Sequence, residues 1–280
     1  MSNRLKQVFA NCKDKGRSAL VGYLTAGDPN VKMSEKLMLT LAQQVDIIEI
    51  GMPFSDPMAD GPVIQAASER ALESGAHIAD VFAIAQKVRD LFPDIGIVLM
   101  GYANVPFTIG FEDFAKRAAQ AGVDGVLLVD IPAEERDICA KTFADYNLCQ
   151  VMLLAPTSTE ERIRLAADVG DGFIYYVSLA GITGAEMGAV EEIKERLSLI
   201  RKYSKLPICV GFGVKSAKQA AEIAAFADGV VVGSHFVSQI TSNLTDEHEM
   251  VASLSQAASD LALSMTRSSL HQDKMLEDFE

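Results

Sequence analysis

Three acids in one short span, Glu49, Asp56 and Asp60, are the first candidates for chemistry in this 280-residue chain. They fall within Ile48 to Gln65, IEIGMPFSDPMADGPVIQ, where a purely structural connection needs none. Glu49 lies near the end of the apolar run Val45-Asp46-Ile47-Ile48-Glu49-Ile50, and no Lys or Arg occurs between Lys36 and Arg70. A carboxylate buried without a counter-charge is costly. Desolvation raises its pKa towards neutrality, where one group can both give and take a proton. A structural Glu bonded to backbone fits the same pattern, and both readings stand. Asp60 is either an acceptor facing a ligand or the cap of a helix that restarts at Gly61-Pro62. Pro suits a first helical turn because it needs no N–H donor there, and Gly61 is the nearer cap.

A second group of residues suits an anion. Gly211-Phe212-Gly213 and Gly233-Ser234 each follow a short apolar run. Glycine lets backbone N–H groups come close to a phosphate, and a helix opening at Ser234 adds partial positive charge. Tight-turn glycine alone is the competing explanation. SLAGITGAEMGAV, from Ser178, is rich in small residues and reads as either a closing lid, with Thr183 as its donor, or a plain surface loop. Tyr175 could hydrogen-bond a carboxylate or a ligand, and Asp130 is equally ambiguous. His235 carries no bet. Cys12, Cys139, Cys149 and Cys209 form no C-x-x-C pair and have no His at metal spacing, so buried thiols and no metal are expected.

The elements that must position these residues are legible as a repeat. Apolar, Val/Ile/Leu-rich runs cover Ser18 to Leu24, Val45 to Ile50, Ile95 to Met100 and Val123 to Val129. They continue at Leu148 to Leu154, Gly172 to Val177, Pro207 to Val210 and Gly229 to Val232. Continuous hydrophobicity marks strands buried on both faces, as in a parallel sheet with helical crossovers. Helical patterns lie between them: Pro62 to Ser74, Ile78 to Phe92, Phe111 to Ala121, Ala133 to Asn147, Thr159 to Val169 and Ser216 to Phe226. Eight such units predict a single-domain α/β fold, a (β/α)₈ TIM barrel, over residues 1–265, followed by a polar, frayed tail over 266–280. An open doubly wound sheet is the competing architecture. In a barrel the chemistry sits on the loops after the strands, which is where the unusual residues fall.

Composition excludes several function classes. A formal charge of −13 argues against a nucleic-acid or anionic-membrane surface, so a bound phosphate must be held locally. With 49% hydrophobic residues the chain has ample material for a core, and no apolar run reaches membrane-span length. Scattered thiols and the lack of an apolar leader fit a cytoplasmic protein.

The motifs taken in order resemble the tryptophan synthase α subunit. IEIGMPFSDPMADGPVIQ is similar to that family's signature, and TAGDP at Thr25 to Pro29, GYAN at Gly101 to Asn104 and VDIP at Val129 to Pro132 extend the likeness. YYVSLAGITGAE at Tyr175 to Glu186, GFGV at Gly211 to Val214 and VVGS at Val231 to Ser234 continue it. The resemblance implies a lyase that splits indole-3-glycerol phosphate into indole and glyceraldehyde 3-phosphate. It places the acid/base group on Glu49, the indole N–H acceptor on Asp60 and the neighbouring tyrosine on Tyr175. It assigns Thr183 to orienting Asp60, Tyr23 to the indole pocket, and Gly184, Gly211, Phe212, Gly213, Gly233 and Ser234 to substrate binding. It further implies an α2β2 heterotetramer with a β subunit that carries pyridoxal phosphate, with no cofactor in this chain. Asp56, Pro57 and Asn104 would face that partner. Two residues depart from the pattern: Tyr23 stands where Phe is familiar, and Leu179 where some members have Arg. The rivals are a stand-alone lyase, a catalytically weak subunit that activates its partner, and another phosphate-binding barrel. An imine-forming aldolase would need a strand-end Lys, which none of the eight runs offers.

Overall fold

A computed structural model of the chain describes residues 4–178, 186–211 and 213–277. The strands are β1 (Ala19–Thr25), β2 (Ile47–Gly51), β3 (Gly96–Gly101), β4 (Gly125–Leu128), β5 (Cys149–Gln150), β6 (Met152–Leu154), β7 (Ile174–Val177), β8 (Ile208–Gly211) and β9 (Gly229–Val232). All pair in parallel, in the order β5-β4-β3-β2-β1-β9-β8-β7-β6. The two ends of that order, β5 and β6, are consecutive pieces of the single expected run Leu148 to Leu154. Val151 separates them, and its N–H donates to the Val126 carbonyl at 3.0 Å. The first piece pairs with β4 and the second with β7, so this one run brings the two edges of the sheet together. The eight expected runs therefore all form strands, and the architecture is the barrel rather than the open sheet.

Burial explains why the runs lack polar alternation. Along β1 and β2 every residue is buried. One set of side chains, among them Val21, Ile47, Val98, Leu127, Val151, Phe173 and Val231, fills the barrel interior. The alternate set, including Leu20, Leu24, Ile48, Ile50 and Val230, packs against the surrounding helices. The N-terminal helix Arg4–Asp14 buries Leu5, Val8, Phe9 and Cys12 in the interior cluster. It thus stops the end of the barrel where the strands begin, leaving the opposite mouth for a site.

The helices follow the expected boundary chemistry. Thr159 and Ser216 cap Glu160–Val169 and Ala217–Ala224, each hydroxyl accepting from the N–H three residues on. The expected helix Ala133 to Asn147 is instead a 3₁₀ turn, Ala133–Ile138, and a short helix, Ala140–Asp145. Ile138 and Phe143 are five residues apart, off the spacing that shares a helical face. Phe143 is buried and Ile138 is exposed. Helices Val31–Ala42, Glu186–Tyr203 and Glu247–Glu277 complete the outer layer. The last of these runs through residue 266, so that position is not an element boundary. Among the described residues no helix is long and apolar enough to cross a membrane.

Candidate active site

Glu49 lies on β2 with Tyr23 of β1 and Val98 of β3 as its register partners. Its side chain is 0% exposed, and neither carboxyl oxygen has a hydrogen-bond partner among the described residues. The backbone-bonded reading therefore does not describe this residue. Burial, and next the field of Asp60, push its pKa up to about 8. Such a group is protonated at neutral pH and can still ionise, the condition for passing a proton both ways.

Asp60 is held by a different device. Its Oδ2 accepts from the Tyr102 hydroxyl at 3.0 Å, and that hydroxyl accepts from the Ala59 N–H at 3.0 Å. Tyr102 follows β3 directly and is buried, with its ring 5.2 Å from that of Phe54. Gly61 is the N-cap of the helix Pro62–Glu73, which frees the Asp60 side chain from capping. Burial raises the Asp60 pKa, and the Tyr102 bond opposes that rise. Sequence reasoning quoted Tyr102 within a loop motif and gave it no role. Its partner is distant in sequence, and no local pattern signals such a contact; the only hint was a polar aromatic immediately after a strand.

Two tyrosines flank Glu49, each laid over a strand-end glycine. A Cβ at Gly51, the last residue of β2, would run into the Tyr23 hydroxyl. One at Gly211, the last of β8, would come within 2.8 Å of the Tyr175 hydroxyl. These glycines are needed for close approach. The extra hydroxyl of Tyr23 pairs with Thr25 Oγ1 at 3.1 Å. Tyr175 is buried beside Glu49, whose field adds to burial in raising the phenol pKa, but the two are not hydrogen-bonded. The interior thus presents an uncommitted carboxyl between phenolic rings, beside a second, anchored carboxylate.

The anion-binding candidates follow β8 and β9, on the other side of β1 from the strand of Glu49. Gly213 has φ +61 with open space where a side chain would stand. Gly233 is the N-cap of the helix Ser234–Thr241 and, as glycine, offers no side-chain cap to the first-turn N–H groups, which lack intrahelical partners. Gly233 also touches the Tyr23 ring, since a Cβ there would lie 3.4 Å from it. Phe212, Leu179, Thr183 and Gly184 lie outside the described residues. Asp130 accepts from the Ala103 N–H at 2.8 Å, which ties down the loop after β3.

Asp56 is exposed and Pro57 half-buried on the loop after β2, and Asn104 is exposed at the start of the short helix Asn104–Ile109 that follows β3. Beside them stand two apolar side chains that the sequence reading passed over, Met58 at 80% and Phe107 at 67% exposure. All four cysteines are buried, and burial raises the Cys12 and Cys139 thiols to about 12 and about 11, so none is a ready nucleophile. Among the described residues no cluster of His, Cys, Asp and Glu could hold a metal ion.

Comparison with known proteins agrees with this geometry. Residues 9–266 match the family model described as tryptophan synthase alpha chain. A protein of that name from Marinobacter nauticus is 47% identical over 245 residues, 87% of this chain and 91% of the relative. One from Dechloromonas aromatica is 48% identical over 239 residues, 85% of this chain and 89% of its own length. The crystal structure of tryptophan synthase subunit alpha from Legionella pneumophila superposes with a TM-score of 0.88 at 35% identity, covering 95% of this chain and 99% of that one. A chain from the open form of M. tuberculosis tryptophan synthase gives 0.85 at 33% identity, covering 95% and 99%. A match of this extent, in sequence and in fold, makes the chain a member of the tryptophan synthase alpha chain family.

Proposed function

We propose that this chain cleaves indole-3-glycerol phosphate to indole and glyceraldehyde 3-phosphate, a retro-aldol lyase reaction. The observation that carries the reading is the buried Glu49 carboxyl, unpartnered and with a pKa of about 8, set near an anchored Asp60. In this reading Glu49 delivers a proton to indole C3, and the positive charge that builds on the ring nitrogen is met by Asp60, accepting from the ring N–H. The glycerol hydroxyl next to the ring then loses its proton to Glu49. The C–C bond breaks, its electron pair restores the aromatic ring, and the hydroxyl carbon becomes the aldehyde. Tyr23 and Tyr175 line the ring pocket, and Gly213, Gly233 and Ser234 hold the phosphate with backbone N–H groups.

The indole released is passed to a β subunit, which carries the pyridoxal phosphate needed to build L-tryptophan, in a cytoplasmic α2β2 assembly. Asp56, Pro57 and Asn104 face that partner. Met58 and Phe107 add exposed apolar surface to the same two strand-to-helix segments, the kind of surface a partner covers when it forms a contiguous patch. An indole-release assay on wild type and Glu49→Gln tests the chemistry, with and without the β subunit. The expected result is indole from wild type and a loss of about a hundredfold or more in the variant, the range for removing a general acid–base group. Equal rates would refute the mechanism. A wild-type rate indifferent to the β subunit would favour a stand-alone lyase.

A further inference from the structure

Away from the carboxyls, one side chain joins three of the segments that carry the site. Arg70 stands in the last turn of the helix Pro62–Glu73, whose other end follows Asp60. Its Nε donates to Asp28 Oδ1 at 2.7 Å and its Nη2 to Asp28 Oδ2 at 2.8 Å, a two-point fork. The same Nη2 donates to Thr241 Oγ1 at 3.2 Å. Asp28 belongs to the loop after β1, is fully buried, and is tied back through its N–H to the Thr25 carbonyl at 3.3 Å. Thr241 is the last residue of the helix that begins at Ser234, and its hydroxyl donates to the Val237 carbonyl, leaving a lone pair for Arg70.

The arrangement has a simple mechanical consequence. The two helices pack against one another, and Arg70 pins them together at their C-terminal ends. At about 1.5 Å per residue, their N-terminal ends lie roughly 10–12 Å away along each axis. Asp60 directly precedes the Gly61 cap at one far end, and Gly233-Ser234 form the other. A small pivot at the clamp is therefore delivered as a change in the distance between the ring-side carboxylate and the phosphate cradle.

We infer that Arg70 is a positioning residue that sets the span of the site, matching the distance between Asp60 and Gly233-Ser234 to a ligand with an N–H ring at one end and a phosphate at the other. This rests on the substrate reading given above. The planar guanidinium suits the task because its fork holds Asp28 in one orientation, whereas a lysine ammonium supplies charge without direction. Asp28 keeps the fork from rotating, and Thr241 transmits its position to the phosphate helix.

The test separates the whole ligand from its two ends. Steady-state KM and kcat for indole-3-glycerol phosphate are measured on the full chain, with inhibition constants for glycerol 3-phosphate alone and indole alone. The variants are Arg70→Lys and the near-isosteric Thr241→Val, and thermal unfolding is recorded for each. A span-setting clamp predicts that Arg70→Lys weakens kcat/KM for the whole substrate by about tenfold or more, since small misplacements in a two-ended site are costly. Either fragment, free to bind at one end only, keeps its constant within about twofold on the same argument. Thr241→Val follows in the same direction, by about fivefold, the worth of one hydrogen bond, and carries the test if Arg70→Lys unfolds. Fragments that weaken as much as the substrate, or a substrate constant that does not move, would overturn the clamp. A wild-type chain that neither cleaves nor binds the substrate would instead overturn the underlying functional reading.

Discussion

Asp124 and Glu49 are both buried carboxylates of the barrel wall, one at the plugged end and one towards the mouth. Asp124, 3% exposed, precedes β4 and takes Arg4 at 2.9 Å, Arg89 at 2.7 Å and the Ile97 N–H at 2.9 Å. Arg89 in turn donates to the carbonyls of Gly122, Pro93 and Ile95, so charge and polarity are satisfied on both sides. Glu49, equally buried, has none of this among the described residues. A buried ion that is fully bonded is a fixture, because protonating or removing it breaks several contacts together. A buried carboxyl left unbonded is kept at a cost to stability, and that cost is the signature of a group reserved for a ligand.

The contrast can be broken from either side. Glu49→Gln is expected to slow indole release by about a hundredfold or more while leaving the protein folded. Asp124→Asn should do the reverse. It strands Arg89 in a buried site and is expected to lower stability by about 3 kcal/mol, read by denaturant unfolding, with kcat of the surviving enzyme near wild type. An Asp124 variant that lost activity but not stability would erase the distinction.

Tyr102→Phe sharpens the comparison within the mouth. It removes the one side-chain hydrogen bond to the Asp60 carboxylate among the described residues, so the rate should fall by about tenfold, the worth of one hydrogen bond to a charged group. Because that bond lowers the Asp60 pKa, the acid limb of the rate–pH profile should move to higher pH. Tyr23→Phe has the smallest expected effect. It deletes the hydroxyl paired with Thr25 and should change stability by about 1 kcal/mol or less, with catalysis retained.

Much of this was legible in the sequence, for physical reasons that can be named. All eight strands were readable because a strand covered on both faces must be apolar throughout, as β1 and β2 are. Helix starts at Thr159 and Ser216 were readable because a cap is a local bond between near neighbours. A Tyr at position 23 puts a hydroxyl where burial demands a partner, and Thr25, two residues on, supplies it. What escaped was contact between segments distant in the chain. Tyr102 on Asp60, Arg70 on Asp28 and Thr241, and the seating of Leu5 inside the barrel join residues that no local pattern connects. The split of the fifth strand at Val151 escaped for a similar reason, since it follows from closing the sheet and not from the run itself.

A buried Glu49 carboxyl poised near neutrality has a stability consequence of fixed sign. A folded-state pKa of about 8, raised from 4.5, favours folding fully below pH 4.5, and that contribution is lost as the pH rises to about 8. Wild type should therefore lose stability relative to Glu49→Gln across that window, and no further above it. The most direct measurement is an infrared titration of the Glu49 carboxyl, taken as the difference between wild type and Glu49→Gln. A protonated carboxyl band is expected at neutral pH, disappearing with a midpoint near 8. A carboxylate band already present at pH 6, with a midpoint near 4.5, would contradict it.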